Sequence, residues 1–538
     1  MQAPSDDRST ISFEDEGDGE ARPRLVPALT LVSHPRASRT GERLLLGALA
    51  EGREVALSRG APDFTRPGAA SGAPLADLAA SRKPLRFAPS ANGGVRLSVQ
   101  DGGRHVVVAG EPLRGARELT REAVVAGVTL ELSGRVALLL HAVDLDLPDS
   151  PDALGMVGES DGLRRVRRHV AQVADLDVPV LVRGETGTGK ERVAQALHAR
   201  SRRKAGPFIS VNLGAIPREL AAAELFGARR GAYTGATQDR EGFFRAAQGG
   251  TLFLDEVGEA SAEVQVMLLR ALETGELYPV GSQTPVRADV RLVAATDAHL
   301  EEKIREGHFR APLLHRLSGY VIRVPPLRER REDIGPLLLH FAREELERLG
   351  EASRLSAEDP YAAPWLSAKL ASRLVNASWP GNIRQLRNVA RQLVIGSRGQ
   401  PRLVLDPQLA LELDGAPPSA GRAPEPSPAP EATASPKRDA PHRKASEVTE
   451  PELLAALRAC GWDMKATAEK LGISRPSLYA LIDKSPHLRT AGELSLEEIT
   501  RCFEVCGGDL DAMVERLEVS RRGLLRRVKE LGLLPRDT

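Results

Sequence analysis

Along the chain, apolar and polar positions alternate in three different rhythms. From Leu25 to about Leu147, short apolar segments (LVPALTLVS, RLLLGAL, EVALSR, VRLSVQ, HVVVAG, GVTLEL, VALLLH) are broken by Gly, Pro and Ser. Closely spaced short strands with turn signals between them predict a β-sandwich. Further on, Val178–Val182, Thr251–Leu254 and Val290–Thr296 read as buried strands, and helical patterns such as ERVAQALHARS stand between them. Buried strands alternating with helices predict an α/β sheet. A Pro/Ala-rich stretch, 414–446, carries few large apolar residues and reads as a flexible linker. The tail then repeats itself: LLAALRACGWDMKATAEKLGISRPSLYALIDK (453–484) aligns with ITRCFEVCGGDLDAMVERLEVSRRGLLRRVKEL (499–531). In both copies an apolar helix leads to Cys-Gly-x-Asp, a second helix, a short turn, Ser-Arg and a third helix, a helix-turn-helix pattern.

The central strand and helix frame a candidate chemical site. VPVLVRGETGTGKE (178–191) runs from strand through a glycine loop into a helix, the context in which G-x-x-x-x-G-K binds phosphate. Gly184, Gly187 and Gly189 let successive backbone N–H groups converge, with Glu185, Thr186 and Thr188 between them. The next helix adds its positive end, and Lys190 reaches as a mobile charge. Glu191 stands where Ser or Thr is usual, so a plain glycine-rich turn stays open on this pattern alone. GGTLFLDE (249–256) is a second buried strand ending in two acids. A strand's carboxyl end is where ligands sit in an open α/β sheet. Asp255 could hold Mg²⁺ and Glu256 could polarise an attacking water.

Composition narrows the setting more than the function. Lys+Arg number 74 and Asp+Glu 73, so overall charge does not point to nucleic acid and local clusters must. The three cysteines, Cys460, Cys502 and Cys506, show neither a disulfide framework nor zinc spacing. The first 24 residues are acidic and polar, which predicts disorder and not a signal peptide. No apolar run is long enough to span a bilayer, and a soluble, cytoplasmic multidomain chain is expected.

GETGTGKE, ELFG (224–227), GAYTGA (231–236), GGTLFLDE, FRAPLLHRL (309–317), PPLRER (325–330) and WPGNIRQL (379–386) follow one another in the order of the AAA+ domain of sigma-54-dependent transcriptional activators, the NtrC family. The resemblance covers roughly 154–397, with a helical lid from about 328, and GKE is that family's own form of the loop. It implies an ATPase, with ATP and Mg²⁺, that works as a ring, expected to be a hexamer, and remodels the sigma-54 RNA polymerase closed complex. By position it implies that Asn212 restrains Glu256 until nucleotide is sensed. It makes Asp297 sensor I, where asparagine is commoner, and Arg384 sensor II. Arg310 and Arg316 become arginine fingers reaching a neighbour's nucleotide, and Gly231, Ala232, Tyr233, Thr234, Gly235 and Ala236 the sigma-54 contact. Tyr233 replaces the usual phenylalanine and Pro312 the usual aspartate, the latter with a kink expected.

The flanks carry two further resemblances. Arg59 after GREVALSR, with Ser81 and Arg82 in ASR, resembles a forkhead-associated (FHA) phosphothreonine reader, since an arginine fork and a hydroxyl suit phosphate. Pro84 stands where that domain has histidine, and a docking sandwich with merely solvated arginines is the alternative. No receiver pattern of strand-end aspartates is present. The first tail repeat, within 447–538, resembles the Fis-type domain that closes this family. Double-stranded DNA is the implied partner, and Ser474, Arg475, Ser477 and Tyr479 are its reading residues. The second repeat, 495–534, carries Arg521, Arg522, Arg526, Arg527 and Lys529, which suit phosphate contact or simply a solvated face. Two rival readings are a repressor that has lost sigma-54 contact and a scaffold with a dead ATPase. The first should lack the GAxTGA core, the second Lys190, Asp255 or Glu256.

Overall fold

The structure, a computed structural model, describes residues 23–77, 83–100, 105–148, 152–232, 238–355, 363–414, 449–460, 462, 464–471, 478, 481, 494, 496–506, 509–517, 519, 524 and 527–528. They fall into two compact units, Met1–Gly421 and Arg422–Thr538.

The first unit opens with a β-sandwich. Its strands are β1 (Leu25–Ser33), β2 (Arg43–Leu45), β3 (Val55–Leu57), β4 (Asp63–Thr65), β5 (Gly72–Pro74), β6 (Leu85–Pro89), β7 (Val95–Ser98), β8 (Val106–Val108), β9 (Glu111–Pro112), β10 (Ala116–Leu119), β11 (Val128–Leu132) and β12 (Val136–Asp144), with helix α1 (Arg121–Ala126) before β11. One antiparallel sheet runs β5-β4-β2-β1-β12-β11-β8-β9 and the other β10-β7-β6-β3. Leu29, Leu31, Leu138 and Leu140 of the first meet Leu57, Phe87, Val95 and Leu97 of the second. The small sheet alternates inward and outward residues, as one solvated face requires. β12 does not alternate: it is buried along nearly its whole length. The reason lies on its other face, where Ala137 and Leu139 join the core of the lid described below.

The α/β body follows. Strands β13 (Val180–Arg183), β14 (Phe208–Asn212), β15 (Thr251–Asp255), a short hairpin of β16 (Glu276–Leu277) and β17 (Val286–Arg287), β18 (Arg291–Thr296) and β19 (Tyr320–Arg323) are interleaved with helices. The main sheet runs β14-β15-β18-β13-β19 and is parallel throughout. Helices α2 (Asp161–Val173) and α3 (Lys190–Arg200) cover one face, packing Val166, Val170, Val193 and Leu197 on Val182, Phe253, Val293 and Ile322. Helices α4 (Arg218–Phe226), α5 (Phe243–Ala246), α6 (Ala262–Thr274), α7 (Leu300–Arg305) and α8 (Ala311–Leu317) belong to the opposite layer, around Leu181, Leu252, Leu254 and Ala294. Both faces are covered, which is why these strands read as unbroken apolar runs.

The lid consists of α9 (Ile334–Arg348), α10 (Ala368–Asn376), α11 (Asn382–Gly396) and α12 (Pro407–Asp414). Its core includes Leu338, Leu374, Trp379, Leu386 and Val394, and α12 adds Leu409 and Leu413, so the packing runs past Ser397. Trp379 and Pro380 interrupt the helical run between α10 and α11, as the sequence suggests. Pro312, in contrast, does not kink its segment. It occupies the first turn of α8, where its missing N–H would be unpaired anyway.

The second unit is helical, with helices at Glu450–Ala459, Met464–Leu471, Leu496–Val505 and Leu510–Leu517. Leu453, Leu457 and Trp462 of the first repeat share one apolar core with Ile499, Met513, Leu524 and Val528 of the second. The linker expected at 414–446 lies, after Asp414, outside the described residues, as do the first 22 residues. Among the described residues no helix is long and apolar enough to cross a membrane.

Candidate functional site

The loop between β13 and α3 curls as its glycines predict. Gly187 and Gly189 sit at φ +79° and +100°, where a side chain would be strained. Gly189 caps α3, so the first free N–H groups of an eleven-residue helix open toward the loop. Lys190 is buried, and its Nζ donates to Gly184 O at 2.7 Å and Glu185 O at 3.2 Å. Burial lowers its pKa; the Asp255, Asp297 and Glu256 carboxylates oppose that shift.

A cavity of about 370 Å³ opens beside this loop, lined by Thr186 to Val193, Asp255, Glu256 and, from the lid, Phe341 and Arg384. Asp255 ends β15, and its Oδ1 accepts from the Glu256 amide at 3.0 Å. Glu256 itself is left-handed, at φ +56° and ψ +43°, an uncommon backbone for a residue with a side chain. Asn212 ends the neighbouring strand in register with Asp255, and its Oδ1 accepts from Ala215 N at 3.1 Å. Between Asn212 and Glu256 lies Gly214. A Cβ there would stand 2.1 Å from Glu256 Oε2 and 3.3 Å from Asn212 Oδ1, so glycine is what lets the carboxylate rest against this turn. Asp297, just past β18, is exposed and takes a hydrogen bond from Thr186 Oγ1, which ties it to the phosphate loop. Glu191 lines the cavity mouth, where the Gln195 side chain donates to it at 3.3 Å.

The structure therefore brings Gly184 to Glu191, Asp255, Glu256, Asn212, Asp297 and Arg384 to one end of the sheet. Arg310 and Arg316 are not among them. Both are exposed, neither lines the cavity, and Arg316 only approaches Glu273, at 3.6 Å. Gly231 and Ala232 stand at the base of their loop, with Ala232 against Gly281 in the connection between β16 and β17. Tyr233, Thr234, Gly235 and Ala236 lie outside the described residues. So do Ser81 and Arg82, and Ser474, Arg475, Ser477 and Tyr479. Arg59 is half-buried just past β3.

Four residues that the sequence reading left without a role complete the site. Arg328 forks onto Glu185 with two bonds, at 2.9 and 2.6 Å, and this pairing holds the carboxyl below its ordinary range. Asn382, fully buried and left-handed at φ +51°, donates to Glu185 Oε2 and Thr186 O, both at 3.1 Å, while its Oδ1 accepts from Leu327 N at 2.8 Å. Arg330 is buried and donates to Thr188 O at 3.0 Å. Gly381 of the lid lies against the loop: a Cβ on Gly187 would lie 2.5 Å from its carbonyl oxygen, so glycine at 187 lets the two approach. All four are letters of PPLRER and WPGNIRQL, so these two motifs carry their signal.

Three domain families match in order: the sigma-54 interaction domain at residues 156–323, an AAA+ ATPase lid domain at 328–413, and a bacterial regulatory protein domain of the Fis family at 447–484. Among similar proteins, the DNA-binding transcriptional regulator NtrC of Salmonella typhimurium is 45% identical over 251 residues, 47% of this chain and 51% of that protein. The chain thus spans about half the length of that relative. The transcriptional regulatory protein ZraR of Klebsiella oxytoca is 39% identical over 61% of this chain and 69% of its own. The nitric oxide reductase transcription regulator NorR1 of Cupriavidus necator is 39% identical over 68% and 71%. With the phosphate loop, the paired strand-end acids and the lid arginine assembled in one cavity and these three domains in order, the chain belongs to the NtrC family of sigma-54-dependent transcriptional regulators.

Proposed function

We propose that this chain is an ATP-driven, cytoplasmic activator of sigma-54 RNA polymerase that binds double-stranded DNA upstream of its promoters. The convergence of Lys190, Asp255 and Glu256 on one cavity beneath Arg384 carries this reading. The loop amides and Lys190 hold the β- and γ-phosphates, and Arg384 holds the nucleotide from the lid. Asp255 is a hard oxygen donor at the cavity wall and would hold Mg²⁺, which when bound offsets charge on the phosphates. Glu256 orients and polarises the attacking water, and Asn212 restrains it across Gly214. Asp297 works from Thr186. Arg310 and Arg316 reach the nucleotide of a neighbouring copy, so hydrolysis needs a ring, read as a hexamer. The loop Gly231 to Ala236 passes the motion to sigma-54. The tail reads DNA through Ser474, Arg475, Ser477 and Tyr479. The sandwich is read as an FHA-type input domain, in which Arg59, Ser81 and Arg82 receive a phosphothreonine.

The experiment is open-complex formation by sigma-54 RNA polymerase on a supercoiled promoter with an upstream site. The wild-type chain with ATP forms open complexes, whereas a Thr234→Ala variant hydrolyses ATP without forming them. Hydrolysis by the wild type with no open complexes would overturn the activator reading.

A further inference from the structure

The β-sandwich holds both walls of the nucleotide cavity. One wall belongs to the α/β body: Gly155, Met156, Val157 and, on α2, Leu163. Here the Asp144 amide donates to Asp161 Oδ2, at the start of α2, at 2.7 Å. Arg165 of α2 returns a bond to Asp144 Oδ2 at 3.1 Å, and Arg43 of β2 reaches Glu159 O at 3.2 Å. The other wall is the lid, through Leu337, Phe341 and Glu344 of α9 and Ile383 and Arg387 of α11. Arg331 enters this joint from the same short segment whose Arg328 and Arg330 grip the phosphate loop. Its Nη1 donates to Ala126 O and Gly127 O of the sandwich at 2.6 and 2.7 Å, and its Nε to Val375 O of α10 at 3.0 Å. Asn376 bonds both Arg331 and, at 3.3 Å, Thr129 Oγ1 of β11. Ser33 donates to Leu366 O at 2.6 Å, and the Ala368 amide to Gly134 O at 3.2 Å. Val32, Ala137 and Leu139 are part of the lid's own core. The fit is close: a Cβ on Gly335 of α9 would lie 2.6 Å from Val32 O.

We infer that the sandwich is a brace across the nucleotide cavity, with one arm on α2 and one on the lid, and that it fixes the lid and thereby limits nucleotide exchange. A lid cannot swing from the body while both arms hold, because the apolar joint and the Arg331 fork would have to open first. A signal that loosens either arm therefore speeds ADP release. This inference deepens the reading above and rests on nucleotide binding in this cavity.

The test is stopped-flow release of a fluorescent ADP analogue from full-length protein, chased with excess ADP. The lid arm is weakened by Arg331→Ala and Asn376→Ala, the body arm by Asp161→Ala and, more mildly, by the half-exposed Arg165→Ala. None of these residues touches the phosphate loop. Loss of one arm speeds release about tenfold, the scale of a charge-assisted hydrogen bond. Cutting both arms adds little beyond cutting one, because a brace is undone from either end, whereas independent contacts would multiply. Wild-type release rates in variants that still fold, multiplying effects, or a lowered melting transition with unchanged release would overturn the brace. Lys190→Ala separates this from the underlying reading. If Lys190→Ala holds the analogue as well as the wild type does, the cavity is not the nucleotide site and the brace falls with it.

Discussion

At the scale of single residues, the joint between sandwich and lid stores ionisable groups that water would normally charge. His141 of β12 is buried, its Nε2 paired with Thr30 Oγ1 at 2.8 Å, and burial beside Arg43 lowers its pKa to about 3. Glu332 approaches its other nitrogen at 3.9 Å, yet burial and the neighbouring Asp333 push that carboxyl up to about 8. Both groups are therefore neutral at pH 7, and the approach is not an ion pair. The signs are opposite. A raised acid stabilises the fold fully below its ordinary 4.5 and loses that contribution as pH rises through 8; a lowered histidine contributes above 6.5 and loses it as pH falls toward 3. Between 4.5 and 6.5 the two slopes oppose each other, and above 6.5 the Glu332 loss remains, in the same direction as that of its neighbour Asp333, which burial also raises. The unfolding midpoint of the wild type should therefore fall between pH 6.5 and 8, and Glu332→Gln should flatten that limb. Urea titrations of both proteins at several pH values decide it, and parallel curves would remove Glu332 from this role. Lys190, Asp255 and Glu256 were legible from sequence because their spacing encodes their chemistry. Gly214 was not, because what it does depends on a carboxylate forty-two positions away.

At the scale of elements, periodicity foretold many of the strands and, in the α/β body, helix α3, since each buried face leaves its own rhythm. It could not say what a face meets. The run VALLLH read only as one more strand, but its unbroken apolarity reports two cores, one in the sandwich and one in the lid. The first turn of α11 was similarly under-read. Arg384 drew notice as the charged residue, while Asn382 does the joining. Its amide holds the phosphate loop and its oxygen takes the buried Leu327 amide, with the backbone left-handed at φ +51°. Asn382→Ala should lower stability by ~2–4 kcal/mol, combining unpaired buried groups with left-handed strain. Asn382→Gly relieves the strain but not the lost bonds, so it should recover part of the stability and none of the nucleotide affinity. Denaturant midpoints and binding of a fluorescent ADP analogue measure the two effects. Full recovery of affinity in Asn382→Gly would mean that backbone shape alone sets the loop.

At the scale of the molecule, the proposed reading leaves the site short of the two arginines assigned to a neighbouring copy. Lys190, Asp255, Glu256 and Arg384 line one cavity, whereas Arg310 and Arg316 do not. Arg310 caps α8 and Arg316 lies in its last turn, both exposed, and among the described residues Arg316 has the 3.6 Å approach of Glu273. A solvated arginine pair would be the ordinary explanation on a lone surface helix. Here the alternative makes a prediction that solvation does not. If the pair serves a neighbour, the phosphate loop and the fingers of one chain act in different sites. Arg316→Ala keeps a complete loop and lacks a finger; Glu256→Gln keeps its fingers and lacks the base. Each variant alone should hydrolyse ATP at least ~10²-fold more slowly than the wild type. Mixed in equal amounts, they should regain roughly a quarter of wild-type turnover, because random rings bring one variant's loop against the other's finger at that frequency. Fingers acting within their own chain leave no such pairing, and the mixture would stay as slow as its parts. The same mixing experiment thus decides whether the ring is a condition of the chemistry or only a way of arranging complete enzymes.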